Sequence, residues 1–279
     1  MRDNGIDWYD HGARWYDATL PTWHTMDPLS ESYYNISPFV YCAGNPIVFV
    51  DKDGKRPSAN EAALMAAHVY EDKDADNYMN KLKDAGWTIS DFNTSIKMEY
   101  SKFSQNGLKS ELFQRTIDGA TEYAYVFAGT NPLSIEDWVE DIAQVAGLSS
   151  QYNTAIYNAK TLSDELGDKE LTFVGHSLGG GEAAASSMAT GRAAITFNAA
   201  AVSGLTSYFH KLVNANNVTN YRAVGSKIGI GNIRIGGDIL NNIQEKIGLK
   251  LPGTTISVPT GILPTHTIKD FLKYNLPEP

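Results

Sequence analysis

A chain of 279 residues, 42% of them hydrophobic, is long enough for one or two folded domains, and its composition is ordinary for a globular protein. The net charge of −9 excludes nucleic acid as a partner and argues against electrostatic docking on anionic lipid, since both need a basic surface. Cys42 is the only cysteine, so no intrachain disulfide can form, which suits a reducing compartment.

Residues 1–57 are rich in aromatics set between turn signals. Trp8, Tyr9, Trp15, Tyr16, Trp23, Tyr33, Tyr34, Phe39 and Tyr41 alternate with Asp10-His11-Gly12, Leu20-Pro21, Asp27-Pro28, Gly44-Asn45-Pro46 and Asp53-Gly54. Short aromatic strands divided by turns predict a small β-meander. The ordered series Tyr9–Asp17, Asp27-Pro28-Leu29, Asn45-Pro46 and Asp51-Lys52-Asp53-Gly54 resembles the C-terminal end of an Rhs repeat-associated core. That resemblance implies a segment that closes a β-shell, with the region after it acting as a toxin. Ala18 stands where that family usually has Pro, and Asp51-Lys52-Asp53-Gly54 replaces its Asp-Pro-x-Gly.

Arg56-Pro57-Ser58 marks the expected boundary, giving units of 1–57 and 58–279. Ser58 and Glu61 have the spacing of a capping box for a helix from Ala59, with Ala62, Ala63, Ala66, Val69 and Tyr70 on its packed face. Glu71–Asp84 reads as a turn and short helix, and Trp87-Thr88-Ile89 and Ile96–Tyr100 as strands. Gly107–Ile117 and Glu122–Ala128 form a hairpin about Asp118-Gly119-Ala120. Ile135, Trp138, Val139, Ile142 and Val145 then recur as an apolar helical stripe opposite Glu136, Asp137, Glu140 and Asp141. Gln151–Leu166 is a second long helix. Further on, Ala193–Phe197, Val218–Val224, Asn232–Ile235 and Thr255–Val258 read as strands. Leu205–Val213, Ile239–Ile247 and Thr267–Tyr274 read as helices. Strands alternating with helices predict an α/β fold with a mostly parallel sheet.

The chemistry centres on Gly175-His176-Ser177-Leu178-Gly179. It follows the apolar run Leu171–Val174 and precedes Gly180–Ala189, a run of mostly small residues suited to a closely packed helix. Strand, G-x-S-x-G, helix is the nucleophile elbow, which lifts a Ser hydroxyl clear of the sheet on a sharp turn. The N–H of Leu178, at the helix N-terminus, can then face a developing oxyanion.

A Ser nucleophile needs a base, and the base needs an orienting acid. In this fold the partners follow the Ser in the order acid, then His. His11, His24 and His68 precede it, and His176 is too close in sequence to reach round to Ser177. His210, within a helix, and His266, in a loop before the last helix, remain; the loop position favours His266. Among Glu182, Asp238 and Glu245, Asp238 is favoured, because it follows a strand while the other two lie on helices. The alternative for Asp238 is a helix N-cap.

Val126-Phe127-Ala128-Gly129-Thr130, Asp137-Trp138, Gly175–Gly180 and Thr196-Phe197-Asn198 together resemble class 3 (fungal-type) lipases. The resemblance covers about 59–274. It implies an α/β-hydrolase fold, hydrolysis of acylglycerol or phospholipid esters, and no metal or cofactor. It assigns the oxyanion donors to Thr130 and Leu178, and a lid near 131–142 that carries Trp138, Val139 and Ile142. The family's acid usually follows the strand that here ends Ala223-Val224, where Gly225-Ser226-Lys227 offers no carboxylate; an inserted hairpin at 228–237 would move the acid to Asp238. The expected function is a lipase or phospholipase used as an Rhs-associated toxin. Its partners would be a lipid substrate, a membrane touched peripherally and an immunity protein. No apolar leader or membrane-length run is visible, so the chain is expected to be made in the cytoplasm and delivered by a secretion system. The alternatives are a non-catalytic Rhs-tip binding module, or an esterase or peptidase of soluble substrates.

Overall fold

The computed structural model describes residues 56–96, 108–117, 119–129, 149–212, 214–227, 234–238, 251–261, 264–265 and 267–277, together with three short strands nearer the N-terminus. Those strands, β1 (Trp8–Asp10), β2 (Trp15–Asp17) and β3 (Thr22–Trp23), pair antiparallel in sequence order. They form the meander that the aromatic spacing predicts.

Nine further strands share one sheet. They are β4 (Thr88–Ile89), β5 (Ser110–Ile117), β6 (Ala120–Phe127), β7 (Glu170–His176), β8 (Ala193–Phe197), β9 (Val218–Lys227), β10 (Arg234–Asp238), β11 (Thr254–Gly261) and β12 (Pro264–Thr265). The path across the sheet is β12-β10-β9-β8-β7-β6-β5-β4, with β11 also paired to β9. β6 through β9 run parallel, as do β9–β11 and β10–β12; β4–β5, β5–β6 and β9–β10 are antiparallel. This mostly parallel sheet, flanked by helices and carrying a strand–Ser–helix elbow, is an α/β-hydrolase fold.

Helix α1 (Ala59–His68) covers one face. The Ser58 side chain accepts from the Glu61 N–H at 3.2 Å, and Glu61 accepts from the Ser58 N–H at 2.8 Å, closing the expected capping box. Ala59, Ala62, Ala63 and Ala66 are fully buried against Val126, Val174, Ile195 and Phe197. Helices α3 (Ser149–Leu166) and α4 (Leu178–Thr190) cover the other face, where Ala155, Ala159, Ala183 and Ala184 meet Tyr123, Tyr125, Phe127 and Phe173. The alternation along β6 explains the division, since a strand sends successive side chains to opposite faces. Helices α2 (Ala75–Asp84) and α5 (Gly204–His210) lie at the periphery.

β9 runs three residues beyond the predicted strand, because Ser226 and Lys227 pair with Ile235 and Arg234. β9 and β10 are therefore antiparallel neighbours, and residues 228–233 between them lie outside the described residues. The expected last helix is a 3-10 helix, Ile268–Lys273, capped by the Thr267 hydroxyl accepting from the Lys269 N–H. The expected helix over 239–247, most of the expected strand over 96–100 and the expected lid lie outside the described residues.

Candidate active site

Ser177 sits between β7 and α4 with φ 61° and ψ −126°, a conformation that L-residues rarely adopt. Its N–H donates to the Phe197 carbonyl at 3.0 Å. Its own carbonyl accepts from the Ala200 N–H at 2.8 Å and the Gly181 N–H at 3.2 Å. The strained turn is thus tied to the end of β8 and to the first turn of α4. A Cβ on Gly175 would overlap the Gly179 carbonyl, and one on Gly179 would overlap the Phe127 carbonyl. The two motif glycines are therefore close-approach positions: the chain before the Ser touches the chain after it, and both touch β6. Ser177 is 2% exposed, and its Oγ makes no hydrogen bond among the described residues.

The parallel register pairs Phe127 with Gly175, so Ala128 and Gly129 run alongside His176 and Ser177. A Cβ on Gly129 would sit 2.7 Å from the His176 carbonyl and 3.0 Å from the Ser177 Cβ, and would overlap the Tyr70 hydroxyl. Thr130, the next residue, lies outside the described residues, as do Trp138, Val139 and Ile142. Leu178, buried at the N-terminus of α4, packs with Tyr152, Ile156 and Leu212.

Tyr70 was legible in the sequence only as a packed residue of α1. The structure gives it a junction role. Its hydroxyl lies 2.8 Å from His176 Nδ1 and accepts the Gly129 N–H. Burial pushes its pKa well up, so the neutral phenol persists. Tyr70 therefore joins the end of β6 to the residue before Ser177.

Glu182, set aside in the sequence because it lies on a helix, is 1% exposed in a helix buried along its first ten residues. Neither carboxyl oxygen is hydrogen-bonded among the described residues, and burial raises its pKa well above the ordinary value. Burial thus favours the neutral form of this carboxyl over the charged one. The one available signal was a lone charged residue within a run of small ones that could only be covered on both sides.

The Thr196-Phe197-Asn198 segment locks β8 to β9. The Thr196 hydroxyl donates to Asn220 Oδ1, and Asn198 Oδ1 accepts from the Ala223 N–H at 2.8 Å. Asn198 takes a positive φ of 43° where the chain leaves the sheet.

Asp238 is the last residue of β10, at a strand end as expected. β10 and β12 are parallel, with Gly237 opposite Pro264 and Asp238 opposite Thr265. Thr265 immediately precedes His266, which lies outside the described residues, as does Glu245. The competing His210 is on α5, its Nε2 2.6 Å from Asn153 Oδ1 of α3. That bond occupies His210 in tying α5 to α3. His68 is also engaged elsewhere, with Glu111 at 3.4 Å and the Ala75 carbonyl at 3.0 Å.

An elbow Ser on such a sheet defines a hydrolase-type scaffold, and comparison with known proteins narrows the class. Residues 61–270 match the Tle-like phospholipase domain, described as phospholipase-like, and the chain belongs to this family. The extracellular phospholipase A1 of Serratia liquefaciens is 46% identical over 86 residues, covering 30% of this chain and 26% of that protein. The chain thus spans about a quarter of that relative's length. Two solved structures share broad similarity: a triacylglycerol lipase from Penicillium expansum and the Lip2 lipase from Yarrowia lipolytica. The first has 16% identity and a TM-score of 0.43 over 73% of this chain and 78% of its own. The second has 13% identity and a TM-score of 0.42 over 75% and 80%.

Proposed function

We propose that this chain is a serine ester hydrolase that cleaves acyl esters of phospholipids. The observation that carries the reading is the backbone of Ser177, held at φ 61° at the mouth of a buried helix inside a phospholipase-family domain. Such strain persists only where surrounding structure over-determines it, and here it presents a hydroxyl at a helix N-terminus.

Ser177 Oγ attacks the ester carbonyl while His266 takes its proton. The N–H of Leu178 and the residue Thr130 stabilise the tetrahedral oxyanion. Collapse breaks the bond to the alcohol, which leaves with the proton from His266, and the acyl group stays on Ser177. Water, deprotonated by His266, then releases the fatty acid and restores the Ser. Asp238 orients the imidazole. Its register opposite Thr265 supports this role, since it brings the acid's strand beside the residue before His266. Trp138, Val139 and Ile142 belong to a lid that covers the acyl pocket. The Serratia relative is named a phospholipase A1, which supports a glycerophospholipid as substrate here. The meander at the N-terminus fits the end of an Rhs core, and with it a role as a toxin delivered by secretion and restrained by an immunity protein.

The test is fatty-acid release from phosphatidylcholine, triacylglycerol and short-chain esters by the purified chain and by Ser177→Ala. Wild type is expected to prefer the phospholipid. Ser177→Ala should fall by about a million-fold or to background with its fold intact. Turnover retained in the folded variant would remove Ser177 from the mechanism, and a folded wild type inert on all three would favour a binding module.

A further inference from the structure

Three large aromatic side chains stand in solvent on one flank of the molecule. Tyr157 of α3 is 68% exposed, and Tyr208 and Phe209 of α5 are 78% and 73% exposed. The two rings on α5 meet edge to face at 5.7 Å. The Asn153–His210 hydrogen bond joins the helices, and Asn153 lies one helical turn before Tyr157 on the same face of α3. Just beneath them, Tyr152 and Ile156 of α3 pack on Leu178, the residue after the nucleophile.

The two stretches of chain that supply these helices lack the acidic residues that dominate the sequence as a whole. The protein carries 32 acidic residues and a net charge of −9, yet residues 183–237 contain no Asp or Glu and carry Arg192, Lys211, Arg222, Lys227 and Arg234. Residues 142–163, which include most of α3, contain no Asp or Glu either and carry Lys160. Lys160 and Lys211 are exposed at this flank, and Lys160 is close enough to His210 to add to the lowering of its pKa by burial. Net charge alone argues against anionic lipid; the distribution of that charge leaves one face where the argument does not hold.

We propose that the α3–α5 flank, through Tyr157, Tyr208 and Phe209 with Lys160 and Lys211, is a docking face for the surface of an anionic phospholipid bilayer. Exposed aromatics enter the headgroup boundary, and flanking lysines meet the lipid phosphates. A shallow peripheral contact of this kind needs no spanning segment, and among the described residues no helix is long and apolar enough to cross a membrane. Docking there holds the elbow helix, packed directly under α3, beside its substrate. The inference rests on the phospholipase reading for its purpose, and its test is separable from that reading.

The experiment is co-sedimentation of the full chain with vesicles of phosphatidylcholine alone and of phosphatidylcholine with one third phosphatidylglycerol. It uses Ser177→Ala so that vesicles stay intact. Binding is expected to be at least about tenfold tighter with phosphatidylglycerol present, and that advantage should shrink as salt rises. Tyr208→Ser with Phe209→Ser should lower the partition coefficient on the order of tenfold or more. Lys211→Ala and Lys160→Ala should lower it roughly fivefold each. In the active background, each variant should keep wild-type turnover of a soluble short-chain ester, which shows that it folds. Equal binding to both vesicles, binding that survives the substitutions, or self-association in solution that the same substitutions abolish would overturn the inference. A chain that binds anionic vesicles but hydrolyses no ester contradicts the proposed function and leaves the docking face standing. Hydrolysis of soluble ester without vesicle binding does the opposite.

Discussion

Ser177 and Tyr70 act at one point from opposite sides. The elbow strains Ser177, and Tyr70 holds two of the strands that frame it through His176 and the Gly129 N–H. Tyr70→Phe keeps the ring and removes the hydroxyl, leaving a buried donor without its partner. The expected cost is about 1–3 kcal/mol by chemical denaturation, with a fall in turnover because Gly129 adjoins the proposed oxyanion residue. An unchanged midpoint would show the junction to be incidental. The turn that holds Ser177 was legible in the sequence because G-x-S-x-G carries its own spacing. Tyr70 and Glu182 were not, because a hydroxyl junction and a covered carboxyl depend on which elements lie opposite, and neither leaves a local pattern.

The central strands were legible as apolar runs because β6, β7 and β8 are buried on both faces. What the runs could not show is where β9 stops, since its last residues are held by their pairing with β10. Between β5, β6 and α1 lies a charged cluster that periodicity also hides. Arg115 bonds Glu122 at 2.8 Å and Glu61 at 2.7 Å, and stacks on Trp87 with 4.4 Å to the ring centroid. One cation thus serves two buried carboxylates. Burial raises the Glu122 pKa to about 7 against the pull of Arg115. Folding therefore favours its protonated form. That contribution is complete below the ordinary carboxylate value of 4.5 and is lost as pH rises through about 7. Melting temperature should fall across this window in wild type, and less steeply in Glu122→Gln. Parallel slopes for the two proteins would mean that Glu122 is ionised throughout.

At the scale of the whole molecule, the site is assembled from distant segments by strand order. β6 and β7 bring Gly129 beside Ser177, and β10 and β12 bring Asp238 opposite Thr265. The sequence pointed to Asp238 by the absence of a carboxylate at 225–227. β10 pairs antiparallel with β9 and parallel with β12, and it ends at Asp238. Asp238→Asn should keep the fold and lower kcat by about 10⁴-fold; wild-type activity in that variant would assign the orienting role elsewhere. The charge distribution also belongs to this scale. The net charge of −9 disfavours anionic lipid, while the described α3–α5 flank sets Lys160 and Lys211 beside its exposed aromatics.

The central claim is that Ser177 is the nucleophile, and covalent capture tests it most directly. The folded chain is treated with a fluorophosphonate, digested, and its peptides weighed by mass spectrometry. One phosphonate adduct on the peptide containing Gly175–Gly179 is expected, formed with loss of fluoride and in step with loss of phospholipid hydrolysis, and absent in Ser177→Ala. An unlabelled Ser177 in a chain that still hydrolyses phospholipid, or an adduct that persists in Ser177→Ala as activity is lost, would contradict the claim.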